Sequence, residues 1–599
     1  MIKRVLELAV IGAGLFVFGV LALSNISFAQ QPETPLDLTD YRATMIRLLG
    51  DVVDSRRFAG GTPVIEAVGA SDDPLYIAPL IDLTYFARTG EAAGALFNAL
   101  SALSGQDFDR DWTEYQNWAA SNDITLPPGY DEFKGLVFTT FVDPEFARFF
   151  NPGVQETARV NLLEAVWGGV IVDGIPSLVN ARQITPEEAT AEGERLEQFC
   201  RGADCSYPAN DEFVFGVSID GDSRAYPLRL LNWHEMFNDV IGSAPLYDAP
   251  DGEVVCNFRA PTEFSAVARQ GSEWVQVFGQ SAGCPASGWF EAPETLVWAA
   301  SWDDVQAELP DLADDPAEAL AGQDGVRGQV DGTPVMLAYC TLCGSGVLYD
   351  ATVENLVVDG EDLGTQVLEF GSTGMLMRSN KLMYDRTTDT VWNALTGVPA
   401  FGPLAETDIT LERLPVVVTD WASWQEEHPD TSVLSLTTGF RRDYTNGGAY
   451  SDYFNDADFL MFPVWQQDTT EQENKEVVFA LLINDTPKAY PLETIVPETV
   501  VNDTLAGEDI VIVARATPER DFFEPGGAAV RAYERGDFEF SAGETEREVV
   551  DQNGDVWSVT EAALVGPDGQ MLERLPGHLA FWFGWFGFYP ETLVYEPTI

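Results

Sequence analysis

Hydrophobic and polar positions follow two different patterns along the chain, and the change falls between residues 195 and 212. In residues 31–195, stretches such as DYRATMIRLLGDVVDS and GEAAGALFNALSALSG carry apolar residues three or four positions apart, the spacing of one helix face. Gly, Asp and Pro separate these short segments, so we predict a helical domain, with a HEAT-like array as one form it can take. From residue 212 onward, short apolar runs alternate with turn residues, which predicts β-strands and an α+β fold.

Two segments of the second part are copies of each other. Residues 215–242 read FGVSIDGDSRAYPLRLLNWHEMFNDVIG, and residues 479–506 read FALLINDTPKAYPLETIVPETVVNDTLA. Each predicts a β-hairpin with an Asp/Gly or Asn/Asp turn. A second pair of matching blocks follows in the same order, at residues 411–434 and 572–595. Two ordered matches predict a duplicated domain.

The duplication sets the expected domain boundaries. The first β-rich repeat spans residues 212–440, and residues 248–329 within it form an insertion that the second repeat lacks. A largely polar linker, residues 441–476, leads to a degenerate second repeat at residues 477–599. The prediction is therefore a helical domain followed by two copies of one β-rich domain.

The first 29 residues have the pattern of an export signal. Lys3 and Arg4 precede an apolar run over residues 8–23, and the SFA sequence at 27–29 resembles a small-x-small cleavage site. We therefore expect an extracytoplasmic protein, periplasmic or secreted, with an uncleaved N-terminal membrane anchor as the alternative. No later segment has 18 consecutive apolar residues, so membrane contact is expected only through this segment.

The charge balance narrows the range of partners. The chain has 96 acidic and 33 basic residues, a formal net charge of −63. Such a chain repels nucleic-acid phosphates and anionic lipid headgroups, so neither is an expected partner. The expected partner is a redox protein or another protein, and its identity stays open.

In the oxidising compartment that export implies, closely spaced cysteines are candidates for disulfides. By spacing, the six cysteines form three pairs: Cys200 and Cys205, Cys256 and Cys284, and Cys340 and Cys343. The first two pairs are predicted as local disulfides, although spacing alone leaves other pairings open. The third pair is a CxxC motif between two predicted strands.

The second copy lacks the residues that carry chemistry in the first. The alignment sets His234 and Glu235 against Glu498 and Thr499, Cys340 and Cys343 against Arg515 and Pro518, and His428 against Tyr589. The loss of two cysteines and two histidines together suggests that they form one site in the first copy.

Thiol redox chemistry is the leading hypothesis for this site. Cys340 and Cys343 would cycle between dithiol and disulfide, and His234 and Arg386 would supply positive charge that favours a thiolate. This chemistry requires no cofactor.

Two other functions fit the same residues. Cys340, Cys343, His234 and His428 would give the four ligands of a tetrahedral site for zinc, or for copper in an extracytoplasmic protein. Alternatively, the chain is a non-catalytic binding or scaffold module with structural disulfides.

Four separated blocks resemble the domain of unknown function 3179 family. They read RAYPLRLLNWHEMFNDVIG, GTPVMLAYCTLCGSGVLYD, FGSTGMLMRSNKLMYDRTTDTVWNALTG and WASWQEEHPDTSVL. The family's CPLCG motif stands here as CTLCG, with Thr341 in place of Pro, and the second copy resembles the family in degraded form. Some relatives carry selenocysteine in this motif, which implies redox chemistry. The resemblance places these residues in the family's motif blocks: His234, Glu235, Cys340, Cys343, Asn380, Tyr384, Asp385 and Arg386.

Overall fold

The computed structural model divides the chain into two compact units. It describes residues 36–56, 61–196, 206–281, 284–291, 296–298, 300–312, 325–445, 449–464, 470, 472–518 and 527–597. The first unit holds the described residues up to Val172, with 373–375 and 400–406, and the second holds the rest. The predicted export signal and the pair Cys200 and Cys205 lie outside the described residues. Within the described ranges, no helix has the length and apolarity needed to cross a membrane.

The first unit is helical, as the 3.6-residue spacing predicts. Its longest helix buries Met45, Leu49 and Val52 on one face, and the Asp111 side chain caps another helix by accepting from the Thr113 amide. The helices are Tyr41–Arg56, Pro63–Gly69, Ile77–Phe86, Glu91–Ser104, Trp112–Ala120, Tyr130–Phe141 and Val154–Thr157, with 3-10 turns at Pro74–Tyr76, Pro144–Arg148 and Leu162–Glu164.

Lysine is rare in this chain and largely buried in both units. The sequence has five lysines, and Lys134, Lys381 and Lys475 are each no more than 5% exposed. The Lys134 Nζ atom lies 2.9 Å from an Asp82 carboxylate oxygen inside the helical unit. Lys488 pairs in the same way with Asp503 in the second unit. Each buried ammonium therefore has a partner that compensates its lost hydration.

The first copy begins with the predicted hairpin. Strands Phe213–Ile219 and Asp222–Pro227 pair through a turn in which Asp220 and Gly221 both have positive φ, the geometry that a two-residue hairpin turn requires. One sheet has the strand order Val417–Asp420, Phe213–Ile219, Asp222–Pro227, Ser432–Leu434, Gln183–Ile184; a second has the order Leu178–Val179, Met236–Ile241, Thr333–Cys340, Ser345–Asp350, Arg413–Leu414. Other elements of the chain are the strand Val166–Trp167, the helices Pro186–Leu196, Leu228–His234 and Trp421–Glu427, and the strands Thr352–Val358, Glu361–Val367, Phe370–Met377, Asn380–Asp385, Val391–Asn393 and Pro399–Phe401.

The second copy repeats this architecture. Its opening strands, helix and third strand have the same lengths, in the same order, as those of the first copy. A four-stranded sheet has the order His578–Phe581, Val477–Ile483, Thr486–Pro491, Leu593–Val594; an eight-stranded sheet has the order Val500–Leu505, Glu508–Ala516, Ala528–Glu534, Met571–Leu575, Ala563–Val565, Val556–Val559, Glu548–Asp551, Phe540–Ala542. The helices are Leu492–Glu498 and Trp582–Phe586.

Equivalent side chains make equivalent hydrogen bonds in the two copies. The Tyr226 hydroxyl donates to Asp239, and the Tyr490 hydroxyl donates to Asp503, each at 2.8 Å. The Trp424 indole donates to a threonine hydroxyl at 2.8 Å, and the equivalent indole of the second copy does so at 2.9 Å. The duplication predicted from the sequence therefore extends to individual polar contacts, and buried residues of both copies share one hydrophobic core.

The insertion, together with the preceding strand Ser243–Tyr247, forms a sheet with its own apolar core. Phe258, Phe264 and Phe290 pack in this core, and the predicted disulfide between Cys256 and Cys284 is present, with a Cα separation of 5.6 Å. The sheet has the order Leu296–Trp298, Val326–Val330, Glu263–Gln270, Trp274–Gly279, Ser287–Glu291, Ser243–Tyr247, Val254–Arg259, and a helix spans Trp302–Glu308.

The helical unit has a different end from the predicted one, and the predicted linker contains a short helix. The helical unit ends at Val172 rather than near 195, because the short strand Leu178–Val179 pairs with Met236–Ile241 of the first copy. The predicted polar linker contains the helix Ser451–Phe454, in which Tyr453 and Phe454 are buried. Both segments pack against parts of the chain that are distant in the sequence, which local periodicity does not reveal.

Candidate dithiol site

The CxxC motif forms a tight turn between two antiparallel strands. Cys340 ends the strand Thr333–Cys340 and pairs with Ser345, the first residue of the returning strand. A 3-10 turn covers Thr341–Cys343, and Gly344 follows with φ of 58°, a left-handed conformation that glycine adopts without strain. We call residues 340–344 the knuckle.

The two sulfurs of the knuckle are close together and enclosed. The Sγ atoms of Cys340 and Cys343 lie 2.7 Å apart, and both residues are free cysteines. Cys340 is 5% exposed and Cys343 is fully buried. The Cys343 thiol donates to the Ser379 carbonyl oxygen at 3.0 Å, and the Cys340 sulfur lies 3.8 Å from the same oxygen. Burial, followed by the hydrogen bond to Cys340 and the charges of Cys340 and Glu235, holds the pKa of the Cys343 thiol well above its ordinary value.

A buried ion pair adjoins the knuckle. Lys381 Nζ lies 2.5 Å from a Glu235 carboxylate oxygen, and the other oxygen of Glu235 accepts from the Thr341 hydroxyl at 3.4 Å. Glu235 itself caps the helix Leu228–His234 with φ of 56°. Sequence reasoning placed Glu235 in a family block but missed Lys381. A lysine within an apolar strand of a chain with so few lysines was the available signal.

A strained hairpin tip contacts both sulfurs through the Ser379 carbonyl oxygen. Arg378 and Ser379 connect the strands Phe370–Met377 and Asn380–Asp385, and their φ values are 50° and 62°. Such a conformation is costly for residues other than glycine and persists where surrounding contacts enforce it. Here the Ser379 hydroxyl contacts the Pro463 carbonyl oxygen at 2.7 Å and the Phe462 carbonyl oxygen at 3.2 Å.

Residues 449–464, which we call the strap, contact the knuckle directly. The Tyr453 hydroxyl donates to the Leu342 carbonyl oxygen, between the two cysteines, at 2.7 Å. Lys475 fixes Tyr453 in turn: its ammonium donates to the Tyr453 carbonyl oxygen at 2.5 Å and lies 3.6 Å from the Tyr453 ring centroid. Burial lowers the pKa of Lys475 to about 8.

The second copy supplies another wall of the dithiol site. A Cβ atom added at Gly584, in the helix Trp582–Phe586, would lie 2.8 Å from the Cys343 Cβ atom. Asn380, a residue of the family blocks, donates from its amide to the Gly584 carbonyl oxygen at 2.9 Å. The copy without cysteines therefore helps to enclose the cysteines of the other.

His234 does not assist the thiols as predicted. Its Nδ1 atom donates to the Pro176 carbonyl oxygen at 2.9 Å, and its Nε2 atom accepts from the Tyr444 hydroxyl at 2.6 Å. Both ring nitrogens are thus occupied away from the sulfurs, and burial lowers the His234 pKa to about 4. A neutral, fully hydrogen-bonded imidazole has no positive charge to lend to a thiolate.

Arg386 also belongs to a different network. Its guanidinium group binds Asp173 through two hydrogen bonds of 2.9 and 3.0 Å and pairs with Glu369. Tyr384 donates to the same Asp173 carboxylate, and Asp385 accepts from the indole of Trp392. These family-block residues stabilise the strand Asn380–Asp385 and its following turn, and the predicted charge assistance from Arg386 is wrong.

The four predicted metal ligands do not come together. The His428 ring packs against Trp424 at a tilt of 41° with a centroid distance of 4.0 Å, and its Nδ1 atom lies 3.1 Å from the Ser223 hydroxyl. Among the residues that the structure describes, the one group of three metal-ligating side chains is Glu427, His428 and Glu561. The prediction failed because both histidines stand at helix C-termini, and membership of a family block gives no information on the direction in which such a side chain points.

The group around His428 has the character of an ion network. Arg515 contacts Glu427 at 2.6 Å, and Arg531 contacts Glu427 at 3.0 Å and Glu561 at 2.5 Å. The carboxylates are thus already neutralised by guanidinium groups, which oppose the approach of a cation. This group is therefore a poor metal site.

The fold and the site define a two-copy, β-rich protein in which one copy holds a buried dithiol. A family model described as "Protein of unknown function (DUF3179)" matches residues 172–247 and 316–592, and the chain belongs to this family. The matched regions fit the two copies, and the interval between them falls within the insertion. No curated protein and no solved structure matches the chain.

Proposed function

We propose that the first copy is a thiol–disulfide redox module with Cys340 and Cys343 as its working couple. The observation that carries this proposal is the 2.7 Å separation of two free sulfurs in one tight turn. Two thiols at this distance can form a disulfide with only a small local adjustment. The expected export, through the N-terminal 29 residues, would bring the couple into a compartment where dithiols and disulfides exchange.

The reaction is an exchange with the disulfide of a partner protein. The Cys340 thiol gives up its proton, and its sulfur attacks one partner sulfur. The partner's S–S bond breaks, a mixed disulfide forms, and the other partner sulfur leaves and takes up a proton as the first thiol. Cys343 then attacks the Cys340 sulfur, gives up its proton and releases the partner's second thiol. The module is oxidised by two electrons and the partner disulfide is reduced to a dithiol. Cys340 takes the attacking role because it retains some exposure, whereas Cys343 has none.

Trapping experiments test the couple directly. The full-length protein is equilibrated in glutathione buffers of graded potential, and free thiols are alkylated and counted by mass spectrometry. We expect the knuckle peptide to change by two alkyl groups in one cooperative step, while Cys256 and Cys284 stay paired. A Cys343→Ser variant should accumulate a mixed disulfide at Cys340. Cysteines that remain reduced at every potential would overturn the proposal and favour the scaffold function.

A further inference from the structure

Ser379 connects the dithiol to the strap through two different groups. Its carbonyl oxygen accepts the Cys343 thiol proton at 3.0 Å, and its hydroxyl contacts the Pro463 carbonyl oxygen at 2.7 Å. Its hydroxyl also lies 3.2 Å from the Phe462 carbonyl oxygen. One residue at the tip of a strained hairpin is therefore bonded both to the reacting sulfurs and to the segment that covers them.

Oxidation removes one of these two links. When the dithiol becomes a disulfide, two S–H bonds break, one S–S bond forms, and two protons and two electrons pass to the partner disulfide. A disulfide sulfur has no proton to donate, so the Ser379 carbonyl oxygen loses its thiol donor. The hydrogen bond exists only in the reduced protein.

We propose that Ser379 reports the redox state of the dithiol to the strap, so that oxidation loosens residues 449–464 and reduction fastens them. The proposal rests on the redox function proposed above and assigns a regulatory contact to the same site. The strap carries two exposed apolar side chains that a partner protein would contact. They are Phe459 and Met461, which are 47% and 45% exposed. Loosening the strap changes how these apolar side chains are presented and opens a route to Cys340.

The local backbone makes the hairpin tip sensitive to the loss of a contact. Arg378 and Ser379 are consecutive left-handed residues without the freedom of glycine, so their conformation depends on the bonds that hold them. On one side, the Arg378 guanidinium donates to the Gly587 carbonyl oxygen at 2.9 Å, a contact that oxidation leaves intact. On the other side, the thiol and the strap hold Ser379. Loss of the thiol hydrogen bond therefore weakens the contacts that hold Ser379, and the contact of Arg378 with Gly587 is unaffected.

The strap has a second link to the knuckle, which moves with it. Tyr453 donates to the Leu342 carbonyl oxygen within the CxxC turn. Closure of a disulfide between residues 340 and 343 adjusts the backbone of that turn. The strap is thus bonded to Ser379 and to Leu342, and both residues lie next to sulfurs that change on oxidation. The contact between Lys475 and Tyr453 is not part of this group.

Hydrogen exchange of the full-length protein tests this coupling. Peptides covering residues 449–464 are followed by mass spectrometry in the reduced protein and after oxidation. We expect exchange to be about threefold faster or more in the oxidised protein, since a weak S–H donor is lost. A Ser379→Ala variant, which lacks the hydroxyl link, should exchange quickly in both states, and a Cys340→Ser/Cys343→Ser variant should ignore the oxidant.

The mass of the knuckle peptide separates the two possible failures. If the peptide forms a reversible disulfide but the strap exchanges at the same rate in both states, the Ser379 coupling is wrong and the redox couple stands. If no disulfide forms, the redox function itself is wrong. The wild-type comparison needs no variant, so misfolding of a substituted protein cannot obscure the result.

Discussion

Arg515 occupies in the second copy the position that Cys340 occupies in the first. The strand of each copy pairs in the same register, with Val335 opposite Asp239 and Ile510 opposite Asp503, and the fifth residue beyond each is Cys340 or Arg515. Arg515 reaches Glu427 of the first copy at 2.6 Å. At this position the first copy has one thiol of the pair that the second copy helps to enclose. The second copy has an arginine that forms an ion pair with the first copy.

Replacing Arg515 should therefore weaken the contact between the copies. Both side chains of the pair are about nine-tenths buried, at 12% and 11% exposure, so Arg515→Ala leaves Glu427 with less compensation. Arg531 still holds Glu427, and we expect a loss of about 2 kcal/mol in the free energy of unfolding. Urea denaturation measures it. In a Glu427→Gln background the same substitution should cost less, and an equal cost in both backgrounds would contradict the pairing.

Gly584 should tolerate no side chain. A Cβ atom there would lie 2.8 Å from the Cys343 Cβ atom, so Gly584→Ala overpacks the wall of the dithiol site. We expect a destabilisation of about 1–3 kcal/mol in denaturant unfolding, with faster alkylation of the cysteines. Gly50→Ala is the control, because no atom lies within 4 Å of its added Cβ and helix propensity favours alanine. Equal effects of the two substitutions would contradict the observed packing.

Alkylation of Cys343 should require alkaline conditions. Burial raises the pKa of its thiol, and the Glu235 carboxylate adds to the effect, so the reactive thiolate is scarce at neutral pH. Glu235→Gln should move the alkylation midpoint of the knuckle peptide to lower pH, because the nearby negative charge is gone. Glu369→Gln, which affects the Arg386 network, is the matched control. The same midpoint in both variants would show that the Glu235 charge does not affect the Cys343 thiol.

Protonation of His234 should contribute to acid destabilisation. Its pKa is lowered from 6.5 to about 4, so between these values the unfolded chain binds a proton that the folded protein does not. Stability is therefore lost as the pH falls through this window, by about 3 kcal/mol at most. His234→Gln keeps a neutral polar group, and its stability should fall less between pH 7 and pH 4.5 in urea unfolding. Parallel losses in the two proteins would exclude His234 as a source.

Tyr453→Phe should make Cys340 easier to reach. The substitution removes the hydroxyl that donates to the Leu342 carbonyl oxygen and keeps the ring under Lys475. A hydrogen bond contributes about 0.5–1.5 kcal/mol, so the alkylation rate of native Cys340 should rise by about threefold to tenfold. Tyr595→Phe, which removes a hydroxyl bonded to Glu498 in the second copy, should leave that rate unchanged. A rate that Tyr453→Phe does not alter would show that the strap does not limit access.

Local sequence signals were sufficient for the fold class and the duplication. The paired Tyr-Pro-Leu blocks end hairpins whose lengths and registers agree, because turn residues and alternation are encoded within a few positions. The paired Asn-Asp blocks lie in the strand that follows each hairpin. The alignment even set Cys340 against Arg515, as the strand register does. The disulfide between Cys256 and Cys284 followed from the same local reasoning.

The surroundings of the cysteines depended on contacts far apart in the sequence. Ser379, Lys381 and Tyr453 approach the knuckle only after a hairpin and the strap fold onto it, and no periodicity in their own segments indicates this. The opposite error occurred with His234, which is near the site in the chain but turned toward Tyr444. Residue type and family block thus identified the sulfurs but not their neighbours.

The burial of lysine affects how this protein reacts with reagents that modify amines. Among the residues that the structure describes, Lys134, Lys381 and Lys475 are no more than 5% exposed and Lys488 is paired to Asp503, so these four lysines present scarcely any free amine. Amine-directed cross-linkers, fluorescent esters and biotin labels should therefore react poorly with these four lysines in the native protein and strongly once it unfolds. Lysine acylation becomes a direct readout of unfolding, and carboxylate-directed coupling is the suitable route for immobilising the protein.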